Sequence, residues 1–162
     1  MSADSFSFRD GLLPPDIDAI RKMVTEAGVF SPEEIDVAAE LAEDRLSSGV
    51  QSHYHFFVAE HDGTLIGYTC FGRVPLTDER YDLYWIITDP KAQRQGIASE
   101  LMMETEEEIR RLGGKALYAE TSSRAVYLPA HRFYLKHEFS EQARLKNFYA
   151  DGDDKVIFGK TL

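Results

Sequence analysis

Apolar residues recur along this chain with two different periods, and the switches between them outline the fold. After Pro14-Pro15, Ile17, Ile20, Val24 and Ala27 follow helical spacing and stop at Gly28. Ser31-Pro32-Glu33-Glu34 opens a second helix, because Ser31 suits the N-cap, Pro32 suits the first turn and Glu34 completes a capping box. Ile35, Ala38, Ala39, Ala42 and Leu46 give that helix one apolar face, and Gly49 ends it. The period then shortens. Segments 55–60 and 65–73 read as strands around the hairpin signal Asp62-Gly63, and 81–88 reads as a third, aromatic-rich strand. Ile97, Leu101, Met102, Ile109 and Leu112 predict a long helix over 96–112, stopped by Gly113-Gly114. On its exposed face Glu106 is expected to pair with Arg110, and Glu107 with Arg111. A strand over 115–121 follows, then a shorter helix with Pro129 in its first turn, ending near His137. Strands near 143–149 and 155–160 flank Asp151-Gly152-Asp153, and a first strand is expected over 5–9.

The element order is therefore β-α-α-β-β-β-α-β-α-β-β. Hairpins followed by a strand–helix–strand unit predict a mixed α/β sheet with helices on both faces. The crossover from 81–88 to 115–121 is expected to be right-handed, with the two strands parallel.

Composition narrows the class without naming a chemistry. With 162 residues, 43% of them hydrophobic, the chain fits a single domain over 1–162 with one core. No apolar run is long enough to span a membrane, and residues 1–10 lack the pattern of a secretory signal. Cys70 is the sole cysteine, which excludes an internal disulfide and places the protein, by expectation, in the reducing cytoplasm. The net charge of −10 argues against a nucleic-acid partner, which needs a basic footprint. It fits either plain solubility or attraction for a cationic amine. His53 and His55 have a metal-like i,i+2 spacing but no further ligands around them, so they read as ordinary strand histidines and no metal is expected.

The segment after the aromatic strand is the most informative. Gln93-Arg94-Gln95-Gly96-Ile97-Ala98-Ser99 runs from a turn at Asp89-Pro90 into the long helix. A helix start offers backbone N–H groups and a positive dipole end, and the small Gly96 and Ala98 allow an anion to approach. Two readings stay open on these grounds: a phosphate-type anion at the helix start, or a plain strand-to-helix loop. No Gly-Lys-Ser/Thr ends the segment and it has a single glycine, so neither a Walker loop nor a dinucleotide fingerprint is present.

Gln93-Arg94-Gln95-Gly96-Ile97-Ala98 resembles the Q/R-x-x-G-x-G/A signature of the GNAT superfamily, the acetyl-CoA-dependent N-acetyltransferases. Ile86-Ile87-Thr88-Asp89-Pro90 before it and Phe133-Tyr134-Leu135-Lys136-His137-Glu138-Phe139 after it resemble the same family. The resemblance spans nearly the whole chain. It implies a mostly antiparallel sheet of about seven strands. It also implies acetyl-CoA as co-substrate, a primary amine as acceptor, and direct transfer in a ternary complex. Gln93, Arg94, Gln95, Gly96, Ile97, Ala98 and Ser99 would form the cofactor loop, with Arg94 and backbone N–H groups on the pyrophosphate. Ile86, Ile87 and Thr88 would bond the pantetheine arm, and the Ile86 N–H would polarise the thioester carbonyl.

By the same resemblance Tyr134 would protonate the departing thiolate, and Asp82, eleven residues ahead of Gln93, would assist deprotonation of the amine. The plainer alternatives are a packing tyrosine and a solvated carboxylate, with Glu120 as the reserve base. Glu138 stands where the family usually has glycine, a position that often needs positive φ, so the turn into Phe139 and with it the placement of Tyr134 depend on how Glu138 meets that demand. Asp151, Asp153 and Asp154 form an acidic turn near where family members hold the acceptor. A small-molecule acceptor is favoured over a protein amine, and a non-catalytic coenzyme-A sensor is the contrasting reading. A homodimer is compatible with the resemblance.

Overall fold

The computed structural model describes residues 6–162. Its elements follow the expected order: β1 (Phe6–Asp10), α1 (Asp16–Glu26), α2 (Pro32–Ser48), β2 (His55–His61), β3 (Thr64–Arg73), β4 (Arg80–Thr88), α3 (Ile97–Arg111), β5 (Ala116–Ser122), α4 (Leu128–Lys136), β6 (Ser140–Ala150) and β7 (Asp153–Thr161). Ser5, placed at the start of the first strand by pattern, lies outside the described residues. The seven strands are hydrogen-bonded in the order β1-β2-β3-β4-β5-β7-β6. β1–β2, β2–β3, β5–β7 and β6–β7 pair antiparallel, and β4–β5 pair parallel, as a strand–helix–strand crossover requires. This is the mixed α/β architecture that the periodicity predicted.

Two compact units divide the chain. One contains the residues up to Gly72 with Trp85–Glu107, and the other contains Arg73–Tyr84 with Glu108–Leu162. In the first, alternation along β2 sends Phe56 and Val58 to one face and Phe57 and Ala59 to the other. Phe56 and Val58 meet Tyr68 and Cys70 of β3 and the buried stripe Ile20, Met23 and Val24 of α1, with Ala38 and Ala42 of α2. Each fully buried large apolar side chain of this kind contributes about 1.5–3 kcal/mol. On the other face Ala59 packs with Ile97 and Leu101 from the first turns of α3. A buried hydroxyl pair, Thr69 with Thr105 at 2.6 Å, ties α3 to β3. Arg9 joins β1, β2 and α1 by bonding Asp16 at 2.8 Å and Glu60 at 2.9 Å.

The capping box is present, with Glu34 N–H bonded to Ser31 Oγ at 3.2 Å and Ser31 N–H bonded to Glu34 Oε1 at 3.0 Å. On α3 the structure differs from expectation in the exposure of Glu106. Glu106 is 5% exposed and faces inward, and Arg111 Nε bonds Glu108 Oε2 at 2.7 Å, one turn of spacing i,i+3. Residues 105–106 lie about one turn from both Met102 and Ile109, which puts them on the buried side of this helix. Three short 3₁₀ turns, Gly49–Gln51, Pro90–Ala92 and Ala125–Tyr127, had no periodic signal to reveal them. β6 begins three residues earlier than its pattern indicated, because every residue of it is exposed and nothing imposes alternation.

In the second unit β5 is the central strand. Its Leu117 and Ala119 share one face with Tyr81 and Leu83 of β4 and Phe158 of β7. Gly114, just after α3, allows the chain to turn tightly into β5: a Cβ there would lie 2.2 Å from Ile109 Cγ2 and 2.9 Å from Ile109 O. Overpacking against a stiff β-branched side chain and its carbonyl has no cheap relief. Gly114→Ala is expected to cost about 1–3 kcal/mol of stability, measured by urea unfolding. A change under about 0.5 kcal/mol would contradict the tight approach.

Candidate acetyl-transfer site

The loop between β4 and α3 is anchored at both ends and open in the middle. Asp89 N–H bonds Ile66 O of β3 at 2.7 Å, and Asp89 Oδ1 accepts from Lys91 N–H at 2.8 Å to start the 3₁₀ turn Pro90–Ala92. Ala92 and Ile97 are buried against Leu101, whereas Gln93, Arg94, Gln95 and Gly96 are exposed. Two residues of this exposed stretch are left-handed: Arg94 at φ +67° and Gly96 at φ +77°. The first helical bond of α3 runs from Glu100 N–H to Gly96 O at 3.0 Å, so the amides ahead of it stand outside the helical ladder. Left-handed residues beside a helix start turn successive N–H groups toward one side, a nest suited to an anion. Gly96 serves this by conformation and not by size, since a Cβ there would meet nothing within 4 Å. Ile97 is committed to the core, so its backbone is the part of it that can serve a ligand. Ala98 and Ser99 are half-buried.

Upstream, Ile87 is buried with Trp85 in the core beneath α1 and α2, and Ile86 and Thr88 are half-buried. Gly67 of β3 lets β4 lie close, because a Cβ there would stand 3.2 Å from Ile87 O, from Thr88 Cγ2 and from Leu101 Cδ1. Sequence reasoning passed over Gly67; an isolated glycine inside a strand pattern was the available signal.

In the second unit, Asp82 lies opposite Tyr118 in the β4–β5 register, and Glu120 lies opposite Ile157 in the β5–β7 register. Asp82, Tyr118, Glu120 and Ile157 line a cavity of about 420 Å³, with Arg80 and with Val74, Thr77 and Asp78 of the β3–β4 loop. The structure thus brings Asp82 and its reserve, Glu120, to one cavity. Tyr118 was not foreseen. Its ring lies across Gly159, where a Cβ would meet it at 2.8 Å. The tyrosine–glycine cross-strand pair is a signal only once the register is known.

Tyr134 lies on the opposite side of this unit's strands. Its ring packs on Phe158 at 5.5 Å and Phe139 at 5.4 Å, and Phe158 alternates with the cavity residue Ile157 along β7. Tyr134 and Asp82 therefore serve opposite faces. Burial pushes the Tyr134 phenol up to about 12, so it is protonated at neutral pH. Glu138 adopts the left-handed conformation, φ +68°, that glycine would supply. Glu138 N–H bonds Leu135 O at 3.1 Å and Phe139 N–H bonds Tyr134 O at 3.0 Å, so the helix end closes normally. The turn is therefore kept, and glutamate carries a conformational cost of about 1 kcal/mol in it.

Two carboxylates of the acidic turn have structural partners. The Asp153 carboxylate accepts from the Ser122 hydroxyl and stands 3.6 Å from Arg124. Asp154 accepts from Asn147 N–H at 2.9 Å and from Arg144 at 3.3 Å, and its N–H bonds Ser123 Oγ at 2.7 Å. The Asn147 amide and then Arg144 hold the Asp154 carboxyl below its usual range. These two carboxylates staple the β6–β7 hairpin to the end of β5. Their short chain and several lone pairs suit turns as well as ligands.

A mixed seven-stranded sheet of this order is an architecture shared with solved acetyltransferase structures. The acetyltransferase (GNAT) family model matches residues 18–139, and the chain belongs to that family. A GNAT-family protein from Desulfovibrio desulfuricans is 42% identical, with a TM-score of 0.94 over 97% of this chain and 99% of that one. The PaiA N-acetyltransferase of Thermoplasma acidophilum, solved with coenzyme A, is 20% identical, with a TM-score of 0.74 over 98% and 99% of the two chains. The ribosomal-protein-S18-alanine N-acetyltransferase of Escherichia coli is also 20% identical, with a TM-score of 0.74 over 97% and 94%. The last two show the shared fold. No curated protein matches the sequence.

The Tyr134 value has a consequence for alkaline stability. A phenol whose folded value is raised from 10 to about 12 contributes stability that is complete below pH 10 and is lost as pH rises toward 12. In that window the unfolded chain ionises this group and the folded protein does not. Tyr134→Phe is expected to lower the alkaline slope of unfolding free energy by about one proton, read from urea titrations at stepped pH. An unchanged slope would mean that the phenol is not held neutral.

Proposed function

We propose that the protein transfers the acetyl group of acetyl-CoA to the primary amine of a small molecule. The observation that supports this best is the nest at Arg94 and Gly96 ahead of α3, in a chain whose family uses acetyl-CoA. In this reading the backbone N–H groups from Gln95 to Ser99, with Arg94, hold the pyrophosphate, and Gln93 closes the loop. Backbone groups of Ile86, Ile87 and Thr88 bond the pantetheine arm, and the Ile86 N–H donates to the thioester carbonyl oxygen. Acetyl-CoA supplies the acyl group and a thiolate leaving group.

Asp82 accepts a proton from the acceptor ammonium, directly or through water, so that the neutral nitrogen attacks the carbonyl carbon. From the opposite face, where the β4–β5 ladder ends at Leu83 and Ala119 and leaves a gap for the thioester, Tyr134 donates its phenolic hydrogen toward sulfur as the carbon–sulfur bond breaks. With the phenol near 12, well above a thiol, full transfer is uphill until the sulfur charge has developed. Tyr134 therefore acts first as a hydrogen-bond donor and delivers its proton late. The cavity beside Asp82 receives the acceptor. At about 420 Å³ it has room for a small amine.

Two measurements test the reading. Calorimetry should show acetyl-CoA binding, weakened roughly tenfold or more in Arg94→Ala through loss of a charge-assisted contact. No binding by the unmodified protein would refute the donor assignment. Against a panel of polyamines, amino acids, aminoglycosides and peptides, Tyr134→Phe should retain acetyl-CoA binding while turnover falls about 10²-fold. Undiminished turnover would remove Tyr134 from the chemistry, and acetyl-CoA binding without transfer to any amine would favour a sensor.

A further inference from the structure

The protein carries a net charge of −10, yet the carboxylates around the proposed acceptor cavity are not left to act as one negative field. Asp78 is held by Lys115 Nζ at 2.8 Å and stands 3.6 Å from Arg80 Nη1. Lys115 first, then Arg80, keeps that carboxyl below its usual range. Glu120 Oε2 is held by Lys155 Nζ at 2.9 Å. The two partners of that second bridge differ in setting. Glu120 is half exposed at the cavity, whereas the Lys155 side chain is only 17% exposed. Lys155 Nζ also lies 4.5 Å above the ring of Phe148 on β6. An ammonium between an aromatic face and a carboxylate is held in place by both. Residues 120 and 155 lie on the same sheet face one rung apart, since Ser122 pairs with Lys155 and Glu120 with Ile157. The geometry is thus set by the ladder as well as by the side chains.

We propose that the Glu120–Lys155 pair is a charge selector, cancelling one cavity carboxylate so that an acceptor with a single positive charge is preferred over a polyamine. This rests on the reading of the cavity as the acceptor site. A polycation draws its affinity from several uncompensated carboxylates, because each added negative charge acts on all of its ammonium groups. With Lys155 in place Glu120 offers hydrogen-bond acceptance without net charge. A monocation with an apolar body loses little by this, since it meets Asp82 and the apolar surface of Val74 and Ile157. The selector role makes an unusual demand: removing this one cation should broaden the range of acceptors and not weaken binding generally.

The test uses n-butylamine and spermidine as probes, titrated into the full-length protein by NMR amide shifts at fixed ionic strength. Lys155→Met keeps the aliphatic stem over Phe148 and removes the charge. It should tighten spermidine relative to n-butylamine about fivefold to tenfold, as one unscreened charge near the cavity would do. Lys155→Arg should leave the ratio within about twofold, since it restores the cation. Adding Glu120→Gln to Lys155→Met should return the ratio to that of the unmodified protein. If Lys155→Met does not fold, Lys155→Gln answers the same question. An unchanged ratio, a tightening that survives Glu120→Gln, or no spermidine binding by Lys155→Met would each overturn the selector. Acetyl-CoA titrated into the same samples separates this from the donor reading. Its loss in every sample sinks that reading, while the probe ratio still decides the role of Lys155.

Discussion

The organisation of the second unit depends on a short run of parallel hydrogen bonds between two strands that are far apart in sequence. β4 and β5 pair only over Arg80–Leu83 and Ala116–Ala119, although β4 continues to Thr88 and β5 to Ser122. Parallel pairing demands a long crossover, which α3 provides. The register sets which side chains share a face. It puts Asp82 beside Tyr118, and the next outward residue of β5 on that face is Glu120. Slipping the ladder by one residue would exchange these for Leu83 and Ala119 and send the carboxylates into the apolar layer. Such a slip is opposed by the burial of Leu83, Leu117, Ala119 and Phe158, so the apolar face holds the polar face in place.

The same economy governs the backbone. The cofactor loop and the end of α4 contain three left-handed residues, Arg94, Gly96 and Glu138, and two of them are not glycine. A non-glycine residue in that conformation costs about 1 kcal/mol or more. At Glu138 the helix-ending bonds from residues 138 and 139 offset the cost and keep Tyr134 among the aromatic rings. At Arg94 the offset comes from the anchors on either side, the Asp89 bonds and the burial of Ala92 and Ile97. Rigid flanks thus let an exposed loop hold a conformation it would not choose alone.

Charge behaves differently at the two scales. The chain total is strongly negative, but of the carboxylates lining the cavity Asp78 is tied to Lys115 and Glu120 to Lys155, and Asp153 and Asp154 of the last turn are tied to serines, an amide and arginines. A net charge describes solubility and long-range attraction. What a bound molecule meets is decided within a few ångströms, where each pairing removes most of a carboxylate's field.

Much of the architecture was legible in the sequence, because buried faces enforce periodicity. The capping box, the long helix with Ile97, Leu101 and Ile109 inward, and the glycine stops all followed from local rules. So did the family, since the run Gln93–Ala98 is contiguous and the chemistry of a helix start is local. Where no face is buried the pattern was silent, as in the fully exposed β6, and Glu106 was misplaced because a single turn of helix offers two plausible rotations. The tertiary structure alone decided which distant carboxylates meet. Nothing in the local pattern joins Asp82 to Tyr118, Glu120 to Lys155, or Asp154 to Asn147 and Ser123. Those pairings depend on strand register across 30 or more residues in most cases, and register is set by packing of the whole apolar layer, a property that no short stretch of chain possesses.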